Sequence, residues 1–188
     1  MNERMMNTSS YIPQQQWFVM RDLKRANAKR PAYKELMEMA VEVFTPMAWR
    51  LAERRGRRMR EEAPFIHGLL FVHEARERLD PIVEGMQTLQ YRWMRHTYRE
   101  PMTVKEEDME RFIHAVNTSE TTRYYLPEEI TPEMRGRKVR IIGGAMDGYE
   151  GRLLKARGSK FRELLVEIPN CLTAAVRVCP EFIQYVKD

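Results

Sequence analysis

Gly136 to Lys155 reads GRKVRIIGGAMDGYEGRLLK. The chain holds 9 glycines, and four of them, Gly143, Gly144, Gly148 and Gly151, crowd around Tyr149. The flanking runs, Lys138 to Ile142 and Leu153 to Ala156, mix apolar and basic residues and read as strands. A tight connection between them needs backbone with positive φ, which glycine adopts without steric cost. Gly143, Gly144 and Gly148 are predicted to supply it, and Gly151 to let the second strand start close against the first. Such a loop presents Met146 and Tyr149.

Downstream, Glu163 to Ile168, Thr173 to Val178 and Phe182 to Val186 also read as short strands. Short strands at close spacing with glycine punctuation predict a small barrel over 135–188. Residues 117–134 are rich in Ser, Thr, Pro and Glu and lack periodicity, so they read as a linker. Tyr124, Tyr125 and Leu126 are its residues suited to dock on a neighbouring surface.

The first half is mixed. Residues 1–14 read as a loose tail. Gln16 to Lys24 opens as a strand, with aromatic and β-branched residues together. A helix is expected from Pro31 to Ala40 and a strand from Val41 to Phe44. The Arg50 to Arg60 stretch fits a hairpin with Gly56 at its tip, or a helix built from Leu, Ala, Glu, Arg and Met; the hairpin is the expectation. Phe65 to His73 reads as a strand, and Asp80-Pro81 as the cap and first turn of a helix. Tyr91 to His96 reads as another strand. Thr103 to Glu106 has the capping-box pattern, and Val104, Met109, Phe112, Ile113 and Val116 follow on one helical stripe. This order is the split βαβ, ferredoxin-like arrangement. It covers one sheet face with helices and leaves the other open unless something binds it. The fold class is therefore α+β, with units over 15–116 and 135–188.

Composition narrows function. Hydrophobic residues make up 43% of the chain and charged ones 31%, the mix of a globular protein. The net charge of +5 favours polyanionic partners. No apolar run is long enough to span a bilayer and no secretory signal is legible, so a cytoplasmic protein without a membrane partner is expected. Cys171 and Cys179 form no CxxC and are expected as thiols. His67, His73, His96 and His114 lie at no zinc-ligand spacing. No nucleophile elbow, P-loop or dinucleotide fingerprint occurs, so no enzyme, metal or cofactor is expected.

The opening stretch resembles a KOW motif: a basic-apolar strand, a glycine-bearing loop, an aromatic, a glycine, then a second strand. QWFVM (16–20) resembles the first strand of the NusG-type N-terminal (NGN) domain. PFIHGLLFVH (64–73) resembles that domain's third strand, and EPMTVKEEDMERFIHAV (100–116) its last segment. Found in this order ahead of a KOW motif, they resemble a NusG-type transcription factor: a ferredoxin-like NGN domain, then a small SH3-like β-barrel KOW domain. His67, Leu69 and the pair Ala145-Met146 depart from the family's usual residues. They resemble more the specialised paralogues of the RfaH and UpxY groups, the latter serving capsular polysaccharide operons.

The resemblance implies partners and residues. The open NGN face is expected to bind the β′ clamp helices of RNA polymerase, through Trp17, Val19, Leu69, Phe71 and Trp93. A one-residue register slip would turn these residues into core. Arg54, Arg55, Arg57 and Arg58 are expected near DNA or nascent RNA, whose phosphates attract arginine; the other reading is a solvated charged face. The KOW domain is expected to recruit Rho or a small-subunit ribosomal protein through Met146, Tyr149, Ile168 and Pro169. A monomer with a stable barrel is expected. The alternative class is an RNA- or ribosome-binding KOW protein, which accounts for charge and barrel but not for an open apolar sheet face.

Overall fold

The computed structural model describes residues 13–187, apart from 55, 96, 120, 156–161 and 180. Most of the expected tail, Arg55, the His96 end of one expected strand and the Ala156 end of another therefore lie outside the described residues. The first half contains β1 (Gln16–Asp22), α1 (Ala32–Glu38), β2 (Glu42–Phe44), β3 (Met47–Arg54), β4 (Arg57–Pro64), β5 (Leu69–Glu74), α2 (Arg76–Gly85), β6 (Leu89–Tyr91) and β7 (Thr103–Val104). Then come α3 (Glu106–Thr118) and β8 (Thr122–Tyr125).

β1 sets the layers. Its side chains alternate across the pleat and both faces are buried. Phe18 and Met20 join Leu70 and Val72 of β5 beneath Leu36 of α1 and Leu79 of α2. Trp17 and Val19 point the other way with Leu69 and Phe71. The antiparallel order β2-β5-β1-β6, with β7 also on β1, is that of a split βαβ sheet. Asp22 closes β1 and accepts the Ala32 backbone N–H at 2.7 Å, which satisfies a donor at the start of α1. Beside this sheet, β3 and β4 form their own two-stranded hairpin, with Gly56 at φ 73 in its turn. Arg50 and Glu61 lie directly opposite in its register and pair at 2.7 Å.

Three local expectations give way to tertiary context. α2 starts a turn early, at Arg76, and Pro81 sits inside it. Asp80 is no cap: it accepts from Arg76 four residues back, at 2.9 Å, and from the Tyr91 hydroxyl at 2.6 Å. Thr103 pairs with Phe18 as part of β7, so the capping box is unused and Lys105 stands at the α3 N-cap without a side-chain bond. Glu106, Glu107 and Asp108 complement the positive helix end instead. The strand expected over Tyr91 to His96 ends at Tyr91, apart from an isolated bridge between Trp93 and Pro101.

The second sheet contains β9 (Arg135–Ile142), β10 (Glu150–Leu154), β11 (Glu163–Ile168), β12 (Leu172–Arg177) and β13 (Phe182–Tyr185). Its order is β13-β9-β10-β11-β12-β8. In chain order the five C-terminal strands read 5-1-2-3-4, the SH3-like arrangement. Gly143, Gly144 and Gly148 have φ of 75, 75 and 78, as the turn requires. Gly151 works differently from expectation. A Cβ there would meet the Leu165 carbonyl of β11 at 2.8 Å, so the close approach is to the third strand, not the first.

The expected linker carries structure. α3 runs to Thr118, and β8 pairs with β12 from Thr122↔Val176 to Tyr125↔Thr173. Arg123 of β8 forms an ion pair with the nearly buried Glu163 of β11. Ile130 packs on Leu165 and Ala175. The run TTRYY is β-branched and aromatic, and an open edge at β12 gives it a ladder to join.

Candidate functional site

α3 decides what the molecule exposes. Its stripe of Met109, Phe112 and Ala115 is fully buried, and its acidic first turn reaches the first sheet. Trp17 donates from Nε1 to Glu106 Oε1 at 3.3 Å. The His73 ring stacks on Trp17 at 4.9 Å, with Nε2 3.1 Å from Glu106 and Nδ1 2.8 Å from Glu42. Phe112 meets Phe44 edge-on at 6.0 Å. On its other side α3 packs against β11 and β12. The order of layers is thus α1 and α2, first sheet, α3, second sheet.

The open face expected from the alternation of β1 and β5 is therefore closed. Trp17, Val19, Leu69 and Phe71 are 2%, 0%, 6% and 0% exposed, within one core that continues into the second sheet. The cause is α3's own apolar stripe, which must leave water and finds this face free. Trp93 does not belong with those four. It is 48% exposed and lies 5.8 Å from Tyr91, whose ring contacts Phe18 on the opposite side of the sheet.

The glycine loop meets α3 from the other direction. Met146 is buried in the shared core. Tyr149 lies 5.7 Å from the His114 ring and 5.3 Å from the Arg111 guanidinium, and its hydroxyl donates to the Arg111 carbonyl at 3.3 Å. Burial raises the Tyr149 phenol above its ordinary pKa, against the opposing pull of Arg111. His114 Nε2 donates to the Ala145 carbonyl at 3.0 Å, and Arg111 to the Glu150 carbonyl at 2.8 Å. A carbonyl only accepts, so Nε2 carries the proton. Ile168 is buried in the same core, and Pro169 is exposed. Three of the four expected partner-binding residues of the barrel are thus covered wholly or in part.

One further residue completes the contact, a linker tyrosine that the sequence marked as suited to dock on a neighbouring surface. Tyr124 of β8 lies 5.3 Å from Phe65 and 6.4 Å from Phe112. Burial, then the nearby Glu62 carboxylate, pushes its phenol up to about 12. Its signal was the paired tyrosines in an otherwise polar stretch.

The basic hairpin stands apart. Arg57 and Arg58 are exposed beside the turn, and Arg54 ends β3 opposite Arg57. Trp49 and Leu51 are 60% and 75% exposed, with the Arg60 guanidinium 5.2 Å from the Trp49 ring. An exposed guanidinium cluster on an extended hairpin suits phosphate contact without base reading.

Among the described residues no helix is long and apolar enough to cross a membrane. No curated protein matches the chain significantly. A solved structure titled "Domain interaction in Thermotoga maritima NusG" is similar in fold with a TM-score of 0.45 and 13% identity, over 93% of this chain and 98% of that one. That likeness is loose, and the assignment rests on sequence. The family described as "Transcription termination factor nusG" matches residues 15–113, more than half of the chain and all of the first sheet with its helices. The chain belongs to the NusG family of transcription factors.

Proposed function

We propose that this elongation and antitermination factor binds the β′ clamp helices of RNA polymerase with the surface its second sheet now covers. That surface is the outer side of α3, with Ile113 and Val116, and the adjoining Phe65 and Ile66. It is apolar and of the kind a helix pair covers. Trp17, Val19, Leu69 and Phe71 serve it from beneath by holding α3 in place. The barrel recruits a second partner, Rho or a small-subunit ribosomal protein, through Met146, Tyr149, Ile168 and Pro169. The observation that carries this reading is the shared contact: α3 and the glycine loop occupy each other through Arg111, His114 and Tyr149. One separation would free both surfaces. The arginine run Arg54, Arg55, Arg57 and Arg58 approaches DNA or nascent RNA near the polymerase. The departures at His67, Leu69 and Ala145-Met146 support a specialised paralogue serving an operon class such as capsular polysaccharide. The role is one of contact and asks for no catalysis.

The test is retention of host RNA polymerase by the immobilised full chain. An opening variant, Tyr149→Ala with Arg111→Glu, is expected to retain more polymerase than the unaltered chain. A surface variant, Ile113→Glu with Val116→Glu, is expected to retain less while keeping its circular dichroism. Equal retention by all three would place the polymerase contact elsewhere. Binding that collapses with salt, together with capture of RNA in place of polymerase, would favour an RNA- or ribosome-binding protein.

A further inference from the structure

The last strand of the second sheet, β13, lies at its edge. It pairs with β9 on one side, and among the described residues no strand pairs with its other side. Its register with β9, from Phe182↔Ile142 to Tyr185↔Val139, has no bulge. The Val186 N–H continues that ladder, donating to the Lys138 carbonyl at 3.1 Å. In an antiparallel ladder, alternate residues turn both backbone groups to the same neighbour. Phe182, Gln184 and Val186 therefore bond to β9, while Ile183 and Tyr185 turn N–H and carbonyl outward. Native edges are commonly blunted by charges, proline or a bulge. The four residues of β13, FIQY, include no charge and no proline. Phe182 and Tyr185 are 70% and 62% exposed.

We propose that this edge binds the same edge of a second copy of the chain, as an antiparallel pair about a two-fold axis at Gln184. The sequence is complementary to itself in that register. EFIQYVK, 181–187, sets Glu181 opposite Lys187 of the second copy, Phe182 opposite Val186 and Ile183 opposite Tyr185. Glu181 and Lys187 are exposed, and among the described residues neither sits in an ion pair. The axis makes every one of these contacts occur twice. The backbone agrees with the side chains. Ile183 and Tyr185 carry the outward groups and are the residues brought face to face, so they exchange both bonds. A shift of one residue would set those groups against residues already bonded to β9. Phe182 gains Val186 as a neighbour in a non-hydrogen-bonded pair, where side chains lie closest. At the axis two Gln184 amides meet, each with donors and an acceptor. So short a strand buries less than a standard interface, so the pair is weak and exchanges with single chains. The contact needs no polymerase and stands or falls separately from the clamp-binding reading.

The experiment is sedimentation velocity of the full chain over a rising series of concentrations. The unaltered chain is expected to pass from the coefficient of one chain to that of two. Tyr185→Pro deletes an outward N–H and leaves the β9 ladder its bonds. It should weaken association roughly tenfold, for two hydrogen bonds lost per dimer. Tyr185→Ala keeps that N–H and should weaken it less. Glu181→Lys and Lys187→Glu, each alone, set like charges opposite each other twice and should weaken it at least about fivefold. In an equimolar mixture of those two variants, every facing pair is again one of opposite charge. Association is therefore expected to return there, as a mixed dimer. Both charges are exposed, so these variants do not threaten folding. The coefficient of one chain at every concentration, the monomer expected from the sequence, would overturn the proposal. So would single charge variants that associate as well as the unaltered chain, or a mixture that restores nothing. Association undiminished in Tyr185→Pro would move the contact to the opposite edge at β8 or elsewhere, and would overturn it too.

Discussion

Phe112 is the side chain through which the two sheets share one core. It is 0% exposed, meets Phe44 edge-on at 6.0 Å on the first-sheet side, and lies 6.4 Å from Tyr124 of β8. Phe112→Ala removes the ring and leaves a cavity walled by both units. A buried Phe→Ala change costs about 3–5 kcal/mol. For a chain of this size each kcal/mol moves the melting temperature by about 2–4 °C, so a fall of roughly 6–20 °C is expected. The place where stability is lost matters more than the size of the loss. If α3 is a layer common to both units, amide exchange should quicken in β1 and β5 and also in β8, β11 and β12. Thermal melts followed by tryptophan fluorescence give the first quantity, and hydrogen exchange by mass spectrometry gives the second. A loss below 1 kcal/mol, or quickened exchange confined to the first sheet, would refute the shared-core reasoning.

Other consequences can be checked directly. Burial pushes the Cys171 thiol up to about 11, with Arg92 opposing, while Cys179 is exposed. One thiol per chain should therefore react with a chromogenic disulfide at pH 8, and Cys179→Ser should abolish that reaction. The raised Tyr124 phenol contributes stability that is present below pH 10 and lost as pH rises towards about 12, because the unfolded chain ionises first. Denaturant midpoints should fall across that window, and less steeply in Tyr124→Phe. Gly151→Ala drives a Cβ against the Leu165 carbonyl at 2.8 Å and should cost about 1–3 kcal/mol. Gly148→Ala has open space but φ of 78 and should cost about 1–2 kcal/mol from backbone strain alone. A Gly151→Ala protein with unchanged stability in urea would show that β10 and β11 are not so closely packed.

Much of the fold was legible because it is local. The glycines of the 143–148 turn adopt the positive φ their spacing demanded. Gly56 turns a hairpin, and the alternation in β1 separates Phe18 and Met20 from Trp17 and Val19 as read. The α2 start and the capping box were misread because Asp80 and Thr103 found partners remote in sequence, Tyr91 and Phe18. A propensity reading has no access to such partners.

The site was less legible. From the sequence one could tell that β1 and β5 carry two apolar faces and that α3 carries an apolar stripe. Which of these surfaces meets which was settled only in three dimensions. Hydrophobic burial is non-directional, so a stripe such as Met109, Phe112 and Ala115 is satisfied equally by a partner protein or by the chain's own sheet. The chain chose its own sheet, which closed the expected open face. The same choice left α3 with the Tyr149 loop and Tyr124 packed against it.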